Sequence, residues 1–278
     1  VAFEMTVAAE SGGCPVKAED RRHEIVELLV IKGTVTVDDM AQRFDVSKMT
    51  IHRDLDDLES EGLLRKVRGG ATIESSGQFE SDFRYRARMA AGEKRCIARA
   101  AAQFIEPGTS VMIDDGSTSQ TIVPFLIEKR PLTVITNNLA VITDLSGQSG
   151  LDVIALGGTF SKKFNGFFGV LTEKALEGLR ADTLVMSSSS INGRTAFHQD
   201  QEVLEVKRRM IASSAKRYLM VDHQKFDRTA LHLLSDLSVF DQVITTDALA
   251  DDKAKALRAD GINVHFAKQV QAREEASQ

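Results

Sequence analysis

Ser47-Lys48-Met49-Thr50-Ile51-His52-Arg53-Asp54-Leu55 puts a helix start, base-reaching polar side chains and phosphate-seeking cations on one short segment. The Ser47 hydroxyl can accept from first-turn N–H groups that lack an intrahelical acceptor, so it reads as an N-cap and the helix begins there. Met49, Ile51, Leu55 and Leu58 supply an inward stripe, which leaves Lys48, Thr50, His52 and Arg53 on the outer face near the N-terminus. Cations so placed suit guanine acceptors, and a threonine suits a base edge or a thymine methyl. Taken alone, the same spacing also describes an ordinary solvated helix face.

The neighbouring elements favour the DNA-reading alternative. Upstream, Val37, Met40, Ala41 and Phe44 fall at helical spacing, and Asp45-Val46 makes a tight turn into the second helix. Before them, residues 21–32 carry Ile25, Val26, Leu28 and Leu29 on a buried face, Gly33 stops that helix, and Thr34-Val35-Thr36 can pair as a short strand. After Gly62, residues 63–71 read as a strand entering a glycine turn, with Arg65, Lys66 and Arg68 lining a wing where cations position a protein on phosphates. These elements make a winged helix-turn-helix over residues 21–73.

A second set of polar residues recurs at strand ends. Apolar runs at 110–114, 132–136, 151–156, 183–187, 218–222, 242–245 and 264–266 suit buried strands, with helical patterns at 94–105, 117–129, 139–146, 173–179, 201–215 and 251–259. Such alternation predicts a mostly parallel α/β sheet, whose ligands bind beyond the carboxyl ends of the strands. There lie Asp114-Asp115-Gly116-Ser117-Thr118-Ser119, Thr136-Asn137-Asn138, Gly157-Gly158-Thr159 and Asp222-His223-Gln224-Lys225, with Lys207 on a preceding helix. Each loop alone fits a capped helix start; their recurrence fits a phosphate equally well.

Composition narrows the remaining choices. The 278 residues suffice for two cores, and the net charge of −5 argues against binding nucleic acid through bulk basicity. Residues 21–73 hold nine Lys or Arg against ten Asp or Glu, a balance of −1, so local placement must do what net charge does not. Cys14 and Cys96 stand far apart with no CxxC, which favours reduced thiols in a cytoplasm over a disulfide, and no metal site or cofactor is expected. No run is long enough to span a bilayer. Residues 1–20 and 268–278 read as tails, 74–93 as a linker with Glu74-Ser75-Ser76-Gly77-Gln78 as its hinge, and 94–267 as the second domain. The basic run Arg84, Arg86, Arg88, Lys94 and Arg95 reads as a solvated helix face, with phosphate contact or domain coupling as the alternative.

Ser47-x-x-Thr50-Ile51-His52-Arg53-Asp54-Leu55, Gly62-Leu63 and Arg68-Gly69-Gly70-Ala71 together resemble the N-terminal signature of the DeoR-type (deoxyribonucleoside-regulator) family of bacterial transcription factors. The resemblance runs over roughly residues 20 to 267. It implies a repressor of carbohydrate-metabolism genes that binds double-stranded operator DNA as a homodimer or homotetramer. It also implies an effector domain similar in fold to ribose-5-phosphate isomerase and glucosamine-6-phosphate deaminase, which binds phosphorylated sugars or their derivatives. The family's effector-binding positions correspond to Asp114, Gly116, Ser117, Thr118 and Ser119, to Thr136 and Asn137, to Gly157 and Gly158, and to Lys207, Asp222 and Lys225. On this reading Arg53→Ala abolishes operator binding and Lys207→Ala abolishes effector binding. The chain departs from the family pattern at Asp115, which would repel a dianion unless it turns outward, at Ser187 and Ser190, where glycines are usual, and at His223-Gln224. The alternative function is a sugar-phosphate isomerase with an appended DNA-binding domain, using Asp114, Asp115 or Asp222 as base.

Overall fold

The computed structural model describes residues 18–268, which divide after Ile73 into two compact units. Cys14 and most of both expected tails lie outside the described residues.

The first unit contains α1 (Ala18–Lys32), β1 (Thr34–Thr36), α2 (Val37–Phe44), α3 (Lys48–Ser60), β2 (Arg65–Val67) and β3 (Gly70–Thr72). Its three strands form one antiparallel sheet in the order β1-β3-β2, the wing of a winged helix-turn-helix. Helix α1 begins at Ala18, inside the stretch expected as a tail. Gly70 is obligatory for packing, because a Cβ there would stand 2.3 Å from the Val35 carbonyl oxygen. Ile25, Leu29, Met40, Ile51, Leu55 and Leu64 fill the core. Met49, expected on the inward stripe, is instead 64% exposed. Ile51, Leu55 and Leu58 define the buried stripe at i, i+4 and i+7, and Met49 points away from it. The inward position between them belongs to Asp54, whose carboxylate pairs with Arg21 Nε at 2.6 Å and Nη2 at 3.2 Å in the interior.

The second unit opens with α4 (Phe83–Arg88) and α5 (Ala91–Ala102), then β4 (Ser110–Ile113), α6 (Ser117–Gln120), α7 (Val123–Ile127), β5 (Leu132–Thr136), α8 (Leu139–Leu145) and β6 (Leu151–Ala155). It continues with β7 (Thr159–Ser161), β8 (Gly166–Phe168), α9 (Val170–Glu177), β9 (Ala181–Ser187), β10 (Ser190–Asn192), β11 (Thr195–His198), α10 (Gln201–Ala212) and β12 (Ser214–Met220). The last elements are β13 (His232–Asp236), β14 (Gln242–Thr246), α11 (Asp251–Ala259) and β15 (Val264–Ala267). Seven strands form a parallel sheet in the order β15-β14-β12-β9-β4-β5-β6. Alternate residues feed two cores: Val111 and Ile113 of β4 face one side, while Met112 faces the other. Strands covered on both faces read as continuous apolar runs, which is why the sequence reveals them.

Several elements differ from their sequence reading. The single helix expected over 117–129 is split into α6 and α7, because Pro124 has no N–H to continue the ladder. Helix α10 stops at Ala212, and Ser214 already pairs with Ala181 of β9, so the end of the expected helix 201–215 is strand. The hairpin β7–β8 and the antiparallel sheet β10-β11-β13 had no apolar run long enough to announce them. Residues 74–93 read as a linker, yet Phe79, Glu80, Ser81, Asp82 and Phe83 are buried within the second unit.

Candidate functional site

In the first unit, α3 carries the candidate DNA-reading residues. Ser47 caps it, accepting from Thr50 N at 3.1 Å, and Asp45 closes α2 in the left-handed region at φ 50°. Lys48, His52 and Arg53 are exposed and Thr50 is half-buried, so the first turn presents a mixed polar and cationic surface. On the wing, Lys66 and Arg68 are exposed and Arg65 is half-buried. Not every cation is free: Lys48 Nζ lies 2.8 Å from Asp38, and Lys66 Nζ lies 2.5 Å from Asp56 while its N–H donates to Glu59 at 2.7 Å. These are exposed pairs of small worth, which a DNA phosphate can replace. His52, Arg53 and Arg68 have no hydrogen-bond or ion-pair partner among the described residues.

In the second unit, the chain leaves β4 toward β5 and β6 on one side and has β9, β12, β14 and β15 on the other. The sheet therefore changes direction between β4 and β9, where ligands of such sheets bind. Asp114 follows β4 and is fully buried. One of its oxygens accepts from the Ser119 hydroxyl and from Gly116 N at 3.3 Å; the other accepts from Lys207 Nζ and from Ser187 N at 3.1 Å. Lys207, which α10 sends up beneath the strand ends, also donates to the Ser187 carbonyl at 3.2 Å. Burial opposes its charge, but the Asp114 and Asp115 carboxylates outweigh that and hold the ammonium above its ordinary pKa. With both oxygens engaged, Asp114 is not a free general base.

Asp115 does not turn outward. Its side chain is 1% exposed and its Oδ1 lies 3.3 Å from Lys207 Nζ, an ion pair without hydrogen-bond geometry. Lys207, shared with Asp114, thus offsets part of the charge of the carboxylate that would otherwise repel a dianion. Ser187 makes Gly116 obligatory, since a Cβ on that glycine would stand 1.9 Å from the Ser187 hydroxyl.

Above this layer lies a polar cavity lined by four cations, Arg86, Lys94, Lys207 and Lys225, with Gly116, Ser117, Thr118 and Ser187 to Ser189 between them. Lys94 reaches from α5 to the Arg86 carbonyl and to the Ser117 hydroxyl at 3.2 Å. Burial is the main cause that pushes its ammonium down to about 8; Lys225 and Arg86 add to the effect and Asp222 opposes it. Three buried polar atoms at the cavity residues have no hydrogen-bond partner: Arg86 Nη2, Ser188 Oγ and Asp115 Oδ1, the last held only by its ion pair with Lys207. Unpartnered buried donors are costly, so the arrangement favours an acceptor from outside the chain. Such a group would be anionic and rich in oxygen.

Of the residues the sequence singled out, the cavity gathers Gly116, Ser117, Thr118, Lys207 and Lys225. Asp114 and Ser119 bind each other behind it. Thr136 and Asn137 shape the loops: Thr136 Oγ1 donates to the Ile113 carbonyl at 2.8 Å, and Asn137 Nδ2 donates to the Phe167 carbonyl at 3.0 Å. Asp222 caps the 3-10 turn that carries Lys225. Gly157 and Gly158 are not at the cavity. Gly158 lets the chain pass Thr172 and Phe168, where a Cβ would stand 2.3 Å from the Thr172 hydroxyl. His223 faces Glu93 at 2.8 Å, outside the cavity lining. Sequence reasoning missed Glu80 and His198, and it treated Arg86 and Lys94 as a solvated face. The one signal that could have found them is the pair of acids Glu80 and Asp82, flanked by Phe79 and Phe83, just ahead of the basic run.

Among the described residues, no helix is long and apolar enough to cross a membrane, and no group of three or more His, Cys, Asp or Glu side chains could hold a metal ion. A family model described as a DeoR-like helix-turn-helix domain matches residues 21–77, and one described as a DeoR C terminal sensor domain matches residues 89–247. The L-fucose operon activator of Haemophilus influenzae is 33% identical, covering 81% of this chain and 90% of its own. The glycerol-3-phosphate regulon repressor of Escherichia coli K12 is 30% identical, covering 83% of this chain and 91% of its own. Among solved structures, ribose 5 phosphate isomerase A from Neisseria gonorrhoeae is similar over 49% of this chain and 53% of its own, with 16% identity and a TM-score of 0.36, too distant to bear on chemistry. The winged helix-turn-helix, the sensor unit behind it and these relatives agree: the chain belongs to the DeoR family of transcriptional regulators.

Proposed function

We propose that this regulator acts in the cytoplasm as a homodimer or homotetramer that represses carbohydrate-metabolism genes, and that a phosphorylated sugar or derivative in the second unit modulates its hold on operator DNA. Ser47, Lys48, Thr50, His52 and Arg53 read or position the major groove, while Arg65, Lys66 and Arg68 hold phosphates beside it. The observation that carries the effector reading is the polar cavity lined by Arg86, Lys94 and Lys225, cations not committed to a carboxylate as Lys207 is, with the unpartnered Arg86 Nη2 and Ser188 Oγ. A phosphate dianion offers the acceptors those groups lack, and sugar hydroxyls suit the serines and Asp115 around them. The names of the two relatives, one for an L-fucose operon and one for a glycerol-3-phosphate regulon, support a phosphorylated carbohydrate as the ligand class.

Coupling between the sites is reciprocal: an effector that weakens DNA binding by some factor must bind the DNA-bound protein more weakly by the same factor. The test is to select genomic fragments with the full chain, then titrate sugar phosphates and the matching free sugars against the selected complex. Release by the phosphorylated members alone is the expected result. A protein that prefers no fragment over random DNA, or whose complex responds equally to free sugars, would refute the proposal.

A further inference from the structure

The cavity already contains a carboxylate of the chain's own. Glu80 lies a few residues beyond Ile73, where the first unit ends, and is 1% exposed. Its Oε2 accepts from the Ser189 hydroxyl and its Oε1 from Ser81 N at 3.0 Å. Lys225 and Arg86 line the same space, and their charges act on it. Asp115 is committed to Lys207, so Glu80 is the anion left to balance Arg86 and Lys225. Burial by itself would raise the Glu80 carboxyl, but Lys225, Arg86, His198 and the Ser189 hydroxyl together bring it down to about 2, and it stays ionised.

Glu80 also sits at the middle of a strap. At the strap's start, Ser76 N donates to the Phe79 carbonyl at 2.7 Å and Gln199 Nε2 donates to the Ser76 carbonyl at 3.1 Å. At its end, Phe83 N donates to the Lys163 carbonyl at 2.8 Å. Between these ties, the Phe79 ring lies under Lys163 at 4.3 Å, and the Glu80 carboxylate is the polar anchor that reaches into the cavity.

We propose that Glu80 is an internal placeholder: its carboxylate occupies the position of the effector's anionic group, and an effector phosphate displaces it from Ser189 and takes its place facing Arg86 and Lys225, loosening residues 79–82. This rests on the anion-site reading above and adds how occupancy is passed on. The strap is the chain that leads out of the first unit, so the cavity's occupant sets the order of that segment. A ligand group bound without displacing Glu80 would leave the strap unchanged and shift nothing.

The experiment uses the full chain and inorganic phosphate. While the carboxylate holds the site, the apparent affinity is reduced by the fraction of molecules in which it is out. Glu80→Gln therefore binds phosphate about tenfold or more tightly than wild type by calorimetry. Independently of any variant, saturating phosphate accelerates amide exchange at residues 79–82 of the wild-type protein, Ser81 above all. Equal or weaker phosphate binding by a folded E80Q, or slower exchange at Ser81 on phosphate addition, would overturn the placeholder alone. Absence of phosphate binding by both proteins would overturn the anion-site reading with it.

Discussion

Lys207 is the side chain most easily mistaken for a ligand contact. It is 2% exposed and serves two carboxylates, Asp114 and Asp115, which are 0% and 1% exposed. Lys207→Met removes the ammonium and leaves both acids buried without it. Breaking a buried pair from one side costs about 3–5 kcal/mol, because the remaining charge must be neutralised or exposed. For a unit the size of residues 74–278, each kcal/mol moves the midpoint by about 2–4 °C, so the melting temperature of that unit falls by about 6–20 °C. Calorimetry of the full chain reads this directly. The double variant Asp114→Asn/Lys207→Met removes charge from both sides and recovers at least about 1 kcal/mol relative to the sum of the single changes. The expectation that Lys207→Ala is a clean effector-blind variant is thereby replaced: its loss of ligand binding would follow from a disturbed site. A Lys207→Met protein melting within about 2 °C of wild type, yet unable to bind phosphate, would refute this and return Lys207 to the ligand.

Three further outcomes are expected. Arg53→Ala weakens specific operator binding by about 1–3 kcal/mol, read by fluorescence anisotropy, while leaving phosphate binding unchanged; retention of operator affinity would show that the reading helix is misassigned. Gly116→Ala destabilises the second unit by about 1–3 kcal/mol because its Cβ meets the Ser187 hydroxyl, and Ser187→Gly in the same chain restores much of the loss; a stable single variant would contradict the close approach. Burial, with Lys207 next, holds His198 neutral down to about 3, below its ordinary 6.5, so its contribution to stability is complete above pH 6.5 and declines as pH falls toward 3. The slope reaches about 1.4 kcal/mol per pH unit, and His198→Gln flattens it between pH 6.5 and 4.5, above the range where Glu80 begins to contribute; an unchanged denaturation slope would dismiss the assignment.

The winged unit was legible because its defining residues answer to local rules. Ser47 caps, Asp45 and Gly69 take left-handed backbone, and Ile51, Leu55 and Leu58 repeat at helical spacing. Asp54 was not legible as a core residue, since only the distant Arg21 makes a buried carboxylate tolerable there, and the error at Met49 followed from that. The same distinction holds in the second unit. Asp114, Gly116, Ser117 and Thr118 follow one strand and share one loop, so adjacency in sequence conveys adjacency in space. Glu80 and Ser189 are 109 residues apart, and no periodicity links them. Asp115 read as a defect for an anion site because the cation paired with it, Lys207, lies far along the chain on α10.

On the proposed function, these pairings also account for how a chain of net charge −5 would serve two anionic partners. In the first unit Asp38 and Asp56 occupy Lys48 and Lys66, two of the cations proposed for DNA. In the second, Glu80 acts on Arg86 and Lys225, two of the cations proposed for phosphate. Binding on this reading is an exchange of an internal carboxylate for an external phosphate. The cation is not brought from water to an anion, so the gain per contact is the difference between two similar interactions. For the exposed pairs both sides of that difference are small, and the proposed DNA binding would then depend on Arg53 and Arg68, which give up no protein partner among the described residues. For the buried cavity both sides are large, so modest changes in ligand geometry move the balance far. That asymmetry makes the cavity the more discriminating of the two sites, and it places the control of discrimination on the carboxylate that must leave.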